Sequence, residues 1–591
     1  MAKKNLSNDI LTLYKTPFPS SRNGALFNAF SYPTKISPEV IALFIACHTK
    51  CGNAIFDPFG GSGTTGIASM LCDKPTQKMK ILAEKYHLSP LWGPRKAIIQ
   101  ELSPIGSAIG DVLCHTSPKE FSENAASLIS LTEKELDGIY SSSNSEGTPG
   151  TIRYTIWSDV IKCPNCNKEI TYADVAVNEN PIHFNNKCKC PYCNNDLDLS
   201  EVQSVHINVY DPVLEQMICA KKRVPFKIYG TSNGKNWQRF ATAEDIEKYN
   251  DLTNRGDYSD IPIYKMKWGE LYRKGYHFGI EYLHQMYTLR NALVFSKLWK
   301  NIKLFPDDIQ NALKVFLLSY NQSHSTLMTR VVAKKNSKDF IITGAQPGVL
   351  YISRLPVEKN IFDGLKRKLK TFISALQMIE GSRSEVIFRV ADSVVDRPAD
   401  SSIDYVFTDP PFGDYIPYSE INQINEGWLN ITTDDTDEVI INSYQDKAVI
   451  EYKKLMTKVF QNVHRSLKKD GLCTVVFHSA KSEIWRSIME GYQKSHLGVV
   501  ASGILDKQQA SFKQVNSTIT VKGDPMVLLR NCAHSKLSNE SDEEIAKIII
   551  RKHDGEKNDK EKSERMFSEY ISACISRGVS INLDAKYFFQ E

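Results

Sequence analysis

A chain of 591 residues is too long for one hydrophobic core and calls for several domains. Its 41% hydrophobic and 24% charged residues fit an ordinary globular protein, and no apolar run approaches the roughly 18 residues of a membrane span, so no membrane partner is expected. A net charge of +5 is near balance for this length and does not by itself indicate a polyanionic partner. The opening MAKKNLSNDILTLYK carries Lys3 and Lys4 without an apolar segment behind them, so a cytoplasmic protein is expected. Thirteen cysteines, an odd number with no secretory signal, argue against a disulfide framework.

Residues 1–30 read as a polar lead-in. In SYPTKISPEVIALFIACHTK, Ser37-Pro38-Glu39 starts a helix with apolar residues at helical spacing. NAIFDPFGGSGTTGIASM predicts a buried strand over 54–56, a glycine-rich turn and a helix from Thr64. A second strand over 97–100 ends at Glu101. The middle of the chain holds two cysteine pairs, a loop over 141–150 (SSSNSEGTPG) and helical stretches over 282–302 and 309–320. Strands then return over 386–390, followed by Asp392, over 403–407, followed by DPPF, and over 472–477, with weaker ones over 499–505 and 526–529. An amphipathic helix over 452–467 lies among them. This alternation predicts an α/β fold with a mostly parallel sheet covered by helices on both faces. The expected organisation is one α/β domain in two parts, 1–115 and 381–532, split by an insertion over 116–380. A charged linker and small helical tail fill 533–591.

DPFGGSGTTG contains Gly61, Gly63 and Gly66 in G-x-G-x-x-G spacing between a strand and a helix, which lets a backbone approach a ligand closely. Alone the pattern is weak. No Lys-Ser/Thr follows, so it is no Walker loop, and the acid expected about 20 residues on in a dinucleotide fold comes later, at Glu101. Asp57 precedes the loop at the strand end and Phe59 lies in the turn, with Thr64 and Thr65 closing it. An acid there suits a positively charged amino-acid group better than a pyrophosphate, and S-adenosylmethionine (SAM) has such a group. Glu101 at the next strand tip could take the ribose hydroxyls, and Asp392 at the third the adenine amine. Open α/β sheets bind ligands along this carboxyl edge.

Cys163-Pro-Asn-Cys166 and Cys190-Pro-Tyr-Cys193 form two C-P-x-C knuckles within about 158–200. Four thiolates so spaced predict a closed, tetrahedral, structural zinc site, with Cys188 as a bystander. A redox dithiol would not need two copies. Arg330, Lys334, Lys335 and Lys338 could meet phosphates, or simply form a solvated basic face.

Asp409, Pro410, Pro411 and Phe412 follow the strand over 403–407. Two prolines cannot continue a central strand, because neither has an N–H for the ladder. The pairing of DPFGGSGTT with DPPF resembles the amino-methylating DNA methyltransferases, which modify adenine N6 or cytosine N4. By that resemblance SYPTKISPE, with Tyr32 and Lys35, closes over SAM, and the region between the motifs recognises the target in double-stranded DNA. The chemistry fits: the Asp409 carboxylate and Pro410 carbonyl can accept hydrogen bonds from an exocyclic amine, localising its lone pair for attack on the SAM methyl. Phe412 is placed to stack on a flipped base. C5-cytosine methylation needs a cysteine thiolate, usually after proline, and Pro-Cys does not occur. The resemblance leans to adenine through Asp at the first position and leaves cytosine, RNA and a non-catalytic nucleic-acid-binding role open. The ribbon, TLRNALVFSKLW and GVLYISRLPVEKN are similar to prokaryotic zinc-ribbon adenine-specific DNA methylases, whose association with restriction or other defence systems implies companion proteins of that kind.

Overall fold

The short apolar runs that end on acids become the central strands of an eight-stranded sheet. The computed structural model describes residues 7–15, 17–20, 23–334, 337–507, 523–532, 538, 540–554 and 560–589. It divides into one unit of Met1–Pro118, Phe372–Ser419 and Thr433–Glu591 and another of Lys119–Thr371 and Glu420–Thr432.

The strands of the first unit are β1 (Phe18–Ser20), β2 (Ala54–Asp57), β3 (Lys96–Glu101), β4 (Glu385–Val390), β5 (Ile403–Thr408), β6 (Leu467–Val476), β7 (Leu497–Lys507) and β8 (Asp524–Asn531). They lie in the order β1-β7-β8-β6-β5-β2-β3-β4. Neighbours from β6 to β4 are parallel, while β8 runs antiparallel between β6 and β7. The sheet is therefore mixed and, as expected, mostly parallel. From β2 the chain moves outward through β3 to β4 and then returns to the other side of β2 as β5. That reversal is a topological switch point, the place where open α/β sheets form ligand crevices.

The helices that brace this edge are α1 (Pro38–His48), α2 (Thr64–Asp73) and α3 (Pro104–His115). Proline in the first turn of α1 and α3 loses no helical hydrogen bond, since the N–H there has no partner in any case. The far half of the sheet is covered by α4 (Val449–Ser466), α5 (Ser482–Lys494), α6 (Asp542–Lys552) and α7 (Lys560–Arg577). Tyr452, Phe460, Trp485, Phe567, Tyr570 and Phe588 meet in one core. The tail, expected as a charged linker and small helix, thus buries an apolar face, because Phe567, Tyr570, Ile571 and Cys574 fall at helical spacing. The polar lead-in likewise carries a helix, Asn8–Lys15, and the edge strand β1, with Leu13, Tyr14 and Phe18 buried.

The second unit centres on an antiparallel sheet of Lys235–Phe240, Arg223–Ser232, Pro149–Lys162 and Val357–Lys359. Residues 141–150, expected as a loop, form a hairpin: Ser141–Ser143 pairs with Pro149–Lys162, and the Asn144 side chain closes the turn by accepting from the N–H groups of Glu146 and Thr148. The predicted helix over 282–302 begins only at Leu289, where the Thr288 hydroxyl caps Leu289–Asn301. The TLRN and PVEKN stretches meet beneath it. Arg290 holds Glu358 through two bonds of 2.7 and 3.0 Å, and Thr288 and Trp157 complete the buried carboxylate's partners.

Candidate active site and candidate metal centre

The tip of β2 and the tip of β5 are bonded together. Asp57, 4% exposed, accepts from the Phe59 N–H (3.0 Å), the Thr65 hydroxyl (2.6 Å) and the Thr408 hydroxyl (2.9 Å). Burial pushes its carboxyl up to about 6, against the pull of these three donors. Thr408 immediately precedes Asp409, so one carboxylate sets both the glycine turn and the DPPF turn. Gly61 and Gly63 have φ of +52° and +76°, and Gly63 caps the start of α2. A β-carbon on Gly63 would come within 2.4 Å of the Gly110 backbone in α3, so the turn needs glycine for packing as well as for conformation. Thr64 and Thr65 open α2, buried, and Phe59 packs against the core.

Glu101 ends β3 and reaches back to the loop. It accepts from the Gly61 N–H at 2.7 Å and from the Ser103 N–H at 3.0 Å. Burial raises its carboxyl to about 7, the two N–H groups oppose the shift, and the charges of Asp57 and Glu438 add to it. Asp392, two residues past β4, accepts from the Val394 N–H at 2.8 Å and is raised by burial and by its neighbours Asp437 and Asp396. The next residue, Ser393, donates to the Pro58 carbonyl at 2.7 Å and ties this third tip to the glycine turn. Tyr32 lies over Gly61 and stacks on Tyr418, ring centroids 6.2 Å apart. Lys35 sits elsewhere: it is buried, and its ammonium donates to the carbonyls of Leu26, Phe27 and Phe30. In this conformation it secures the lead-in.

Past Asp409 and Pro410, the Pro411 carbonyl accepts from the buried Tyr452 hydroxyl at 2.8 Å. Phe412 is 5% exposed and packs edge-on to Phe477 and Tyr415. The ring expected to face a base is thus a core residue of the turn, and the half-buried rings nearby are Tyr415 and Tyr418. Burial raises the Tyr418 hydroxyl, with the Thr34 hydroxyl bonded to it at 3.1 Å and the charges of Asp409 and Glu101 adding to the shift. Sequence reading passed over Thr408, Ser393, Tyr415 and Tyr418. The two tyrosines three apart in DYIPYSE were the available signal.

SAM fits this edge by its donor set. Buried carboxylates at adjacent strand tips favour a cationic ligand, and Gly61 at positive φ leaves the backbone bare beneath Tyr32.

The four knuckle cysteines converge, with all sulfurs within 4.8 Å of one another. Cys163–Cys193 and Cys166–Cys190 are 3.8 and 3.7 Å apart. Tetrahedral bonds of about 2.3 Å to zinc imply sulfur–sulfur separations of about 3.8 Å, so the cluster has the dimensions of a zinc site. Each knuckle is closed the same way: Asn167 donates to the Cys163 carbonyl and Asn194 to that of Cys190, both asparagines at positive φ. The repeated C-P-x-C-N was legible, since asparagine tolerates that conformation. Cys188 packs against this cluster's core without joining it. Arg330 packs over Tyr351 and bonds Gln346, whereas Lys334 and Lys338 are exposed and Lys335 lies outside the described residues.

Among solved structures, the crystal structure of PH0851 is similar at 13% identity and a TM-score of 0.17, over 40% of this chain and 65% of that one. No curated protein matches. Among the described residues no helix is long and apolar enough to cross a membrane. Residues 3–75 match a family model described as DNA methylase. That segment carries Tyr32, Asp57 and the entire glycine turn, and over it the chain is similar to the N6/N4 amino DNA methyltransferases.

Proposed function

We propose that the chain transfers a methyl group from SAM to the exocyclic N6 of an adenine flipped out of double-stranded DNA. The observation that carries this reading is the Thr408–Asp57 bond, which joins the DPPF turn to the glycine turn at the sheet's switch point. SAM, when bound, supplies a methyl group on a sulfonium. Asp57, Glu101 and Asp392 hold the cation and its nucleoside, with Gly61, Gly63, Thr64 and Thr65 shaping the turn and Tyr32 covering it. Asp409 and the Pro410 carbonyl accept the two amine hydrogens and localise the nitrogen lone pair toward the methyl. Phe412 fixes the turn from within the core, and Tyr415 and Tyr418 flank the base in its place. Adenine is favoured by the acid at the first position of DPPF, and cytosine N4 would use the same groups. The four-cysteine ribbon holds a structural zinc.

The test is transfer of labelled methyl from SAM to DNA by the wild type and by Asp409→Ala. The variant should lose transfer by at least about 100-fold, in line with removal of a preorganised hydrogen-bonding group, while its SAM affinity stays within about twofold of wild type, since no reacting contact to the cofactor is removed. Transfer by the variant at the wild-type rate would refute the role given to Asp409.

A further inference from the structure

A cavity of about 170 Å³ lies in the second unit, remote in sequence from the glycine turn and the DPPF turn. It is framed by the hairpin His206–Asp211 and Gln216–Lys221 and by the stretch from Phe278 to Ile280. Gly279 makes this closure possible: at φ +79° a β-carbon there would lie 2.5 Å from the Cys219 carbonyl oxygen. Below the range of about 300–1,000 Å³ typical of drug-sized pockets, the space suits one small ring system.

Its walls have a definite chemistry. Tyr210 and Phe278, which line it, are large rings that stay 59% and 39% exposed. Deeper, His284 is 2% exposed and bonds the buried Asp211 through Nε2 at 2.8 Å. Asp211 also accepts from the N–H groups of Val213 and Leu214 and from Gln285. With Asp211 bonded at Nε2, Nδ1 is the ring nitrogen left for a further partner. That Nδ1 is buried and has no protein partner. Arg223, on the same wall, holds Asp159 through Nε at 2.8 Å, and its buried Nη2 also lacks a partner. Buried polar atoms left unpaired are costly and rare, and here two of them belong to residues that line one small cavity.

We propose that this cavity takes a single unpaired nucleobase of the DNA substrate, stacked by Tyr210 and Phe278 and read by His284 Nδ1 and the Arg223 guanidinium. A neutral heterocycle that presents both a donor and an acceptor satisfies the pair. The inference rests on the reading of the chain as a DNA methyltransferase and adds a second base site outside the DPPF edge.

The full-length chain is titrated with a duplex carrying one bulged 2-aminopurine and with the same duplex fully paired, at one salt concentration. The bulged duplex should bind at least about fivefold more tightly, the lower end for base–aromatic stacking. Tyr210→Ala and Phe278→Ala, both exposed and tolerant of truncation, should remove that preference and leave affinity for paired DNA unchanged. Saturation-transfer NMR should detect free nucleosides on the wild type and give a weaker signal in both variants, which keep the cofactor turn and the DPPF edge. Equal binding of the two duplexes, a preference that survives in both variants, or protection of His284 by inorganic phosphate would each overturn the proposal. Methyl transfer to paired DNA without a bulge preference sinks this inference alone, whereas nucleoside binding by a chain that transfers no methyl sinks the methyltransferase reading alone.

Discussion

Replacing Gly63 by alanine tests the packing that places the glycine turn. The residue has φ +76°, where a β-carbon costs about 1–2 kcal/mol. That carbon would also stand 2.4 Å from the Gly110 Cα and 2.7 Å from the Phe388 ring. The first contact is backbone and cannot rotate away, so overpacking adds about 1–3 kcal/mol. The sum, about 2–5 kcal/mol, is a large share of the 5–15 kcal/mol that holds a typical domain. Gly52 supplies the control: its φ is +80°, but nothing lies within 4 Å of its would-be β-carbon. Gly52→Ala should therefore cost only the conformational part, about 1–2 kcal/mol. Native-state hydrogen exchange over Thr64–Asp73 reads both losses, and the Gly63 variant should also bind SAM more weakly. Equal losses in the two variants, or less than about 1 kcal/mol for Gly63→Ala, would refute the close approach of α2 and α3 as the reason for that glycine.

Three further measurements bear on the sites. The carboxyls of Asp57 and Glu101 stand at about 6 and about 7, above their unfolded values, so the unliganded fold keeps protons that the unfolded chain releases; its stability should fall as pH rises toward 7. A cationic ligand favours the ionised carboxylates, so SAM affinity should rise over the upper part of the same window, and Glu101→Gln should flatten that rise; a pH-independent wild-type affinity would contradict the placement of the cofactor. Metal analysis should find one zinc per chain, and its removal by chelator, or Cys166→Ser, should strip hydrogen-exchange protection from the ribbon, because the metal supplies folding free energy there. Full protection without zinc would contradict a structural role.

Local chemistry was legible in the sequence, and long-range pairing was not. Asp57, Glu101 and Asp409 could be placed at strand tips because each ends a short apolar run, and the cysteine spacing carried its metal geometry with it. The antiparallel insertion of β8 between β6 and β7 left no local mark, since pairing depends on partners far along the chain. Phe18 belongs to a three-residue strand paired with Leu505, too short to show a period. The burial of Phe412 was not legible: the turn rotates the ring into the core, while the rings of Tyr415 and Tyr418, three and six residues later, are half-buried. Lys35 carried a cofactor role only through the resemblance of SYPTKISPE, whereas three carbonyls left by a short helix and the loop after it receive its ammonium.

The most direct measurement of the central claim is base-resolved. Unmethylated DNA is incubated with the chain and SAM, digested to nucleosides and examined by mass spectrometry. The account predicts N6-methyladenine. N4-methylcytosine would keep the amine chemistry and contradict the choice of adenine, and methyl on a ring carbon, or on no base at all, would contradict the account itself.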